Sequence, residues 1–134
     1  MYSKMGNKTE YLIDTDILIS HLIQEDTSEL SDLEIAMRQG LCFTSAINAS
    51  ELYFRVSTDE EKFAVDSVTR ALMVLGIHPR YSLNITDFFN KVATARDALF
   101  CSVAKNNKLP IFTREVSKYE NSGIKIITPQ ELRG

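Results

Sequence analysis

Asp14 and Asp16 stand one residue apart at the end of the apolar run Tyr11-Leu12-Ile13. A strand buried on both faces reads as such a run, and nothing in its packing calls for an acid at its carboxyl end. Three more acids hold comparable places: Glu51 after the run Leu41 to Thr44, Asp97 at the start of an apolar helix, and Glu115 after the run Leu109 to Thr113. Singly each has an ordinary role, Asp14 as a turn former, Glu51 as a partner of Arg55, Asp97 as a helix cap and Glu115 as a loop charge. Brought together, their charges repel, and a bound divalent cation reconciles them most simply. Oxygen-only ligands favour Mg²⁺ or Mn²⁺ over zinc, and neither His nor Cys is placed to compete. A site of that kind activates a water, orients a phosphate and stabilises a leaving oxygen. Arg96 and Arg114, each beside one of these acids, suit either substrate phosphates or plain surface charge.

Whether the acids meet depends on the elements that carry them. Ile17, Leu18, Leu22 and Ile23 recur at helical spacing, so the chain turns at Thr15-Asp16 into a short helix, with His21 a surface or packed residue. A second helix is expected over 28–39, with Ser31 and Glu34 as a capping box, Leu30, Leu33 and Met37 as its buried stripe and Gly40 as its stop. The second strand, 41–44, leads through Ser45 into a helix over 46–56. Thr58 and Glu61 form another capping box, opening a helix whose Ala64, Val68, Ala71, Leu72 and Leu75 share a face until Gly76. Residues 77–81 read as a third strand, placed at an edge by Pro79. Within 82–94, Phe88, Phe89 and Val92 suit a short helix; from Arg96 a clear helix runs to the Lys-Asn-Asn-Lys turn at 105–108. Strands at 109–113 and 124–127 complete the series. Strands alternating with helices give a parallel sheet with right-handed crossovers and helices on both faces. Crossover helices start at the carboxyl edge of such a sheet, and all four acid positions fall on that rim.

The 134 residues suit one domain, 10–134, behind a loose arm of residues 1–9. With 44% apolar and 25% charged residues the composition is that of an ordinary globular protein rather than a disordered or fibrous one. A net charge of -3 means that any nucleic acid would have to be held locally. Cys42 and Cys101 form no C-x-x-C pair and read as buried, reduced thiols, which fits a reducing cytoplasm. No run approaches the roughly 18 apolar residues of a membrane span.

The segments L-I-D-T-D-I-L-I at 12–19, T-S-A-I-N-A-S-E-L at 44–52, R-D-A-L-F-C-S-V-A at 96–104 and L-P-I-F-T-R-E-V-S-K-Y at 109–119 resemble the PIN-domain nucleases. Residues 123–129 are similar to that family's closing strand, so the likeness runs from 11 to 129. The resemblance implies a metal-dependent ribonuclease on a three-layer α/β/α fold, with a five-stranded parallel sheet in the order 3-2-1-4-5. Asp14, Glu51 and Asp97 fall on the family's three most characteristic acids. Glu115 stands where the family usually has Asp or Asn, as an assisting ligand. Asp16 matches a position that is often Asn or Asp, and Thr113 and Ser45 match polar residues that line the site. Many small members are VapC-type toxins, held inactive by a small antitoxin and commonly homodimeric. The segment 82–96 is short compared with theirs.

Three other readings stay open at this point. Asp14-Thr15-Asp16 also resembles the first motif of haloacid-dehalogenase phosphatases, with Asp14 as nucleophile, although Leu18 stands where that motif wants Thr or Val. A PIN-like module could bind RNA or protein without cutting. Alternatively, the four acids are solvated and never converge.

Overall fold

The structure, a computed structural model, describes residues 9–134. The expected arm lies outside the described residues except for Thr9, whose carbonyl accepts from the Leu41 N–H at 3.0 Å. Strand β1 (Glu10–Ile13) passes through Asp14 into helix α1 (Thr15–Ile23). Asp14 has extended backbone and its carboxylate accepts from the Thr15 N–H, so the helix begins where the strand ends.

Helix α2 (Asp32–Gln39) has the Ser31–Glu34 capping box, but it starts at 32 rather than 28. The Asp26 carboxylate takes the Ser28 N–H and hydroxyl and holds that stretch in a turn. Its buried residues include Leu33 and Ala36; Leu30 is only half-buried and Met37 is 40% exposed, so the expected stripe is corrected by one residue. Strand β2 (Leu41–Ser45) is followed by α3 (Ala46–Phe54), and then by α4 (Asp59–Ala71). Thr58 caps α4, while the Glu61 carboxylate reaches past it to the Ser57 N–H and hydroxyl, leaving the expected box half formed.

The third strand is not at 77–81. Helix α4 stops at Ala71, and β3 (Met73–Leu75) pairs with β2 in the register Phe43↔Met73, Thr44↔Val74, Ser45↔Leu75. Leu72 and Leu75 match a helical stripe in spacing, yet partners across the sheet decide the outcome. Residues 79–83 form helix α5 (Pro79–Leu83), where Pro79 sits in the first turn and needs no N–H, and the His78 ring accepts from the Arg80 N–H. A 3-10 turn (Asn84–Phe88) follows, with Phe88 buried and Phe89 76% exposed. Thr94 caps α6 (Ala95–Asn107), which ends at Lys108 in the left-handed region, φ +56°. Strand β4 (Ile111–Phe112), a 3-10 turn (Val116–Lys118), β5 (Ile126–Ile127) and α7 (Pro129–Arg133) finish the chain.

All four strand pairings are parallel, and the five-stranded order is β3-β2-β1-β4-β5, as expected. Alternate residues of β1 point to opposite faces. Tyr11 and Ile13 join Ile17, Leu18, Leu33, Val65 and Val68 in one core, while Leu12 joins Phe100, Val103, Ala104 and Ile111 in the other. Burying side chains such as Leu12 and Ile13, both fully shielded, contributes about 1.5–3 kcal/mol each. Helices therefore cover both faces of the central strands, while Met73 and Val74 of β3 stay exposed at the sheet edge. Because every strand runs the same way, the residues following β1, β2 and β4 emerge together at one edge. Among the described residues, no helix is long and apolar enough to cross a membrane.

Candidate active site

Asp14, the first residue beyond β1, is the hub of that edge, and it is only 1% exposed. Its Oδ1 accepts from the Thr15 N–H at 2.8 Å, Arg96 Nη2 at 3.0 Å and Asn48 Nδ2 at 3.5 Å. Its Oδ2 accepts from Tyr119 Oη at 2.8 Å and Thr113 Oγ1 at 3.1 Å. A carboxylate with both oxygens engaged and almost no exposure is a fixed ligand or anchor. It is not the open nucleophile that the phosphatase motif needs.

Two groups of acids share this hub. On one side, one oxygen from each of Asp14, Asp16 and Glu115 lies within 4.8 Å of the other two. Asp16 is held there by the Arg114 N–H at 2.9 Å and lies 3.2 Å from Thr113 Oγ1, which itself accepts from the Glu115 N–H at 3.0 Å. Thr113, at the end of β4, thus ties all three together. Glu115 also forms an ion pair with Lys118 at 3.1 Å.

On the other side stand Glu51, from α3, and Asp97, from the first turn of α6. Between them and Asp14 lies the Arg96 guanidinium, with Nη2 2.8 Å from Glu51 Oε1, Nε 3.1 Å from Glu51 Oε2 and Nη1 3.1 Å from Asp97 Oδ1. Arg96 is therefore spent on the acids rather than free to grip a phosphate. Glu51 does not pair with Arg55 in a solvated helix turn; besides Arg96 it takes the Thr15 hydroxyl at 2.5 Å. The four acids do converge, which rules out the reading in which they are dispersed and solvated.

The charges respond to this packing. Burial pushes the Asp16 carboxyl above its usual range; the Arg114 N–H opposes the shift and the charges of Asp14 and Glu115 add to it. A carboxyl raised chiefly by burial and further by its carboxylate neighbours is one that a cation would relieve. Glu51 goes the other way: burial would raise it, but bonds from Arg96 and Thr15 outweigh that and hold it below the usual range. Burial also works against the Arg96 charge, yet Glu51 and Asp14 more than offset it, so the guanidinium is more firmly protonated than usual.

Three residues central to this network have no site role in the sequence reading. Asn48 is fully buried and donates to Thr15 Oγ1 at 2.9 Å as well as facing Asp14. It lies three residues before Glu51, hence on the same face of α3, which is the signal that could have found it. Thr15 links Asn48 to Glu51. Tyr119, fully buried, donates to Asp14 and accepts from Arg96 Nη1 at 2.6 Å; its position four residues after Glu115 gives no hint of this. Ser45, expected to line the site, is buried and caps α3, with its hydroxyl 2.5 Å from Asn48 Oδ1, so it bears on Asp14 only through Asn48. No buried side-chain nitrogen or oxygen among the described residues lacks a partner.

Asp14, Asp16, Glu51 and Glu115, but not the buried Asp97, line a cleft of about 640 Å³ that also carries Arg55, Arg114 and Lys118 beside the apolar Ile19, Ile23 and Phe54. Arg114, which adjoins Glu115 as expected, turns its side chain to Asp32 and keeps it about half exposed.

A PIN domain family model matches residues 11–117. A search of curated proteins gives no match. Among solved structures, DNA-bound VapBC from Salmonella typhimurium superposes with a TM-score of 0.76 at 15% identity, over 90% of this chain and 98% of that one. VapBC2 from Rickettsia felis, bound to a DNA fragment from its promoter, gives 0.72 at 16% identity over 90% and 98%. Mycobacterium tuberculosis VapC20, a sarcin-ricin loop cleaving toxin, gives 0.62 at 12% over 87% and 96%. At these identities the likeness is one of fold.

Proposed function

The chain belongs to the PIN domain family, and from that premise we propose that it is a metal-dependent endoribonuclease that hydrolyses RNA phosphodiester bonds, acting as the toxin of a toxin-antitoxin pair. The observation that carries this reading is the pair of acid groups sharing Asp14 at the carboxyl edge of the sheet, open to a cleft with a cationic rim.

The residues fit a small divalent cation. Asp14, Asp16 and Glu115 each offer an oxygen within 4.8 Å of the others, and an all-oxygen set suits Mg²⁺ or Mn²⁺. Once bound, such an ion lowers the pKa of a water and offsets charge on the phosphodiester. The chain's own residues do the rest. Tyr119 and Thr113 fix the orientation of Asp14 Oδ2, and the Arg114 N–H fixes Asp16. Arg55, Arg114 and Lys118 supply positive charge where RNA phosphates would lie. Glu51 and Asp97 belong to the catalytic set through Arg96, which they hold against Asp14.

A small antitoxin is the proposed partner, supported by the solved relatives named as VapBC assemblies, and a homodimer is the proposed state. One observation favours a second reading, a PIN-like module that binds without cutting: Arg96 already neutralises part of the acid cluster. Incubating a structured RNA pool with the protein and Mn²⁺, Mg²⁺ or EDTA separates the two. Metal-dependent cutting supports the nuclease, whereas intact RNA retained in a stable complex supports the binding module.

A further inference from the structure

The last turn of α3 sorts its side chains by task. Leu52, 2% exposed, belongs to the core, and the Tyr53 hydroxyl reaches Asp66 and Thr69 and fastens α3 to α4. Glu51 joins the acids through Arg96 and Thr15. Phe54 and Arg55 are left over. Phe54 is 93% exposed, and the exposed Arg55 side chain has no hydrogen-bond or ion-pair partner among the described residues. The helix end that carries them is nevertheless fixed: the Arg55 N–H donates to the Leu52 and Tyr53 carbonyls, and the Val56 N–H donates to the Tyr53 carbonyl.

An exposed apolar side chain is ordinary on a protein surface, and Phe63 and Phe89 are examples. Position separates Phe54 from them. Residues three and four beyond Glu51 share its flank of the helix, within about one turn, roughly 5 Å along the axis. Phe54 and Arg55 therefore line the same cleft as Asp14, Asp16 and Glu51, and Phe54 is the one aromatic residue lining it among the described residues. From α1, Ile19 and the largely exposed Ile23 add apolar surface to that cleft.

We propose that Phe54 and Arg55 hold an unpaired nucleotide of the RNA, with its base stacked on the Phe54 ring and its phosphate on the Arg55 guanidinium, so that the chain selects single-stranded over duplex RNA. The inference rests on the RNA reading above. It adds the class of RNA and the residues that select it.

The charges of the cleft favour a nucleotide as the occupant. Arg114 and Lys118 already lie on Asp32 and Glu115, so Arg55 is the lining cation with charge to spare for an added phosphate. A flat aromatic ring beside such a cation matches the two halves of a nucleotide, an apolar base face and an anionic phosphate. The ring can receive only a base that has left its stack, whereas an A-form duplex keeps its bases stacked and presents sugars and phosphates. Seated there, the nucleotide stands about one helical turn from Glu51, so the strand it belongs to runs past the acids.

Fluorescence titration of the full chain tests this, using short RNAs that carry a stacking-quenched adenine analogue at each position in turn. Binding is read in Ca²⁺ and in EDTA, so that cutting does not enter. The parent should bind the single strand more tightly than the same sequence in a duplex, and should quench the analogue at a defined position. Phe54→Leu, which keeps an apolar side chain but no flat ring, should lower affinity about tenfold and abolish the quench, and Phe54→Tyr should retain both. Arg55→Gln should reduce the slope of log affinity against log salt by about 0.7, the counterion release of one phosphate on a single strand. Both residues are exposed, so these variants should keep the circular dichroism of the parent. Equal affinity of parent and Phe54→Leu, or of single strand and duplex, would overturn the proposal and leave the RNA reading in place. Self-association lost in Phe54→Leu with RNA affinity unchanged would also overturn it, and would assign the ring to a protein interface. No RNA bound by the parent in either condition would remove the RNA reading together with this one. Quenching that follows these variants, in a chain that cuts no RNA in Mn²⁺, would leave the nucleotide site standing and remove the nuclease.

Discussion

Tyr119 and Asp14, 105 residues apart in the chain, meet at 2.8 Å, with the phenol donating to the carboxylate of the hub acid. The same phenol oxygen accepts from Arg96 at 2.6 Å, so one fully buried ring orients both charges. Burial and the Asp14 charge push the Tyr119 phenol above its ordinary range, which keeps the donor proton in place. Tyr119→Phe should cost about 1–2 kcal/mol of stability, the worth of a hydrogen bond to a charged group, read from urea unfolding at neutral pH. It should also weaken Mn²⁺ binding, because Asp14 Oδ2 loses the partner that aims it.

Asp32 binds Arg114 and Arg133 together, and thereby ties α2 to α7 and to the loop after β4. Burial would raise its carboxyl, but the two arginines outweigh that and hold it below the ordinary 3.8. For an acid with a depressed folded value, the stability it contributes is present above the ordinary value and is lost as pH falls through the folded one. Asp32→Asn should therefore lose about 1–2 kcal/mol at pH 7, a discounted figure because both arginines are partly exposed. The gap to the parent should close below the ordinary carboxylate range. Urea melts of both proteins across acid pH check the trend, and a gap that widened toward acid would contradict it.

Cys42 and Cys101 are buried and unpaired, and burial pushes their thiols up to about 12 and about 11. Since the thiolate is the reactive form, neither should react appreciably with a thiol reagent at pH 8 while the chain is folded. Both should react fully in denaturant. A thiol titrating within minutes in the native protein would show that its neighbourhood opens.

Gly40 joins α2 to β2 where the chain passes the Thr9 carbonyl, and a Cβ there would collide with that backbone oxygen. Its extended backbone suits any residue, so the constraint is contact rather than φ. Gly40→Ala should cost about 1–3 kcal/mol by forcing the start of β1 away, measured as a fall in unfolding free energy.

The sheet was legible where burial on both faces makes a strand an unbroken apolar run, as in Tyr11 to Ile13 and Leu41 to Thr44. It was not legible at β3. Met73 and Val74 are exposed at the edge and Leu75 is only partly buried, and Leu72 and Leu75 continue the spacing of α4, so the pairing with β2 alone makes them a strand. Pro79 then drew the strand to the wrong place, because a proline suits a first helical turn as well as a sheet edge. The acids were found because carboxylates beside apolar runs have no packing role. The neutral residues that fix them were not: Asn48, Thr15 and Tyr119 are ordinary residue types in those positions, and only the approach of distant segments gives them a task. In the sequence Arg96 reads as a substrate contact or plain surface charge, because adjacency to Asp97 shows where an arginine starts and not where its guanidinium ends.

The most direct test of the account is cleavage of a structured RNA pool by the parent chain and by Asp14→Asn, each with Mn²⁺ and with EDTA. Asp14 belongs to both acid groups, so the account predicts cutting by the parent in Mn²⁺, none in EDTA, and a loss of at least a hundredfold in Asp14→Asn with its circular dichroism unchanged. Asp14→Asn cutting as fast as the parent, or a parent that cuts equally well in EDTA, would contradict it.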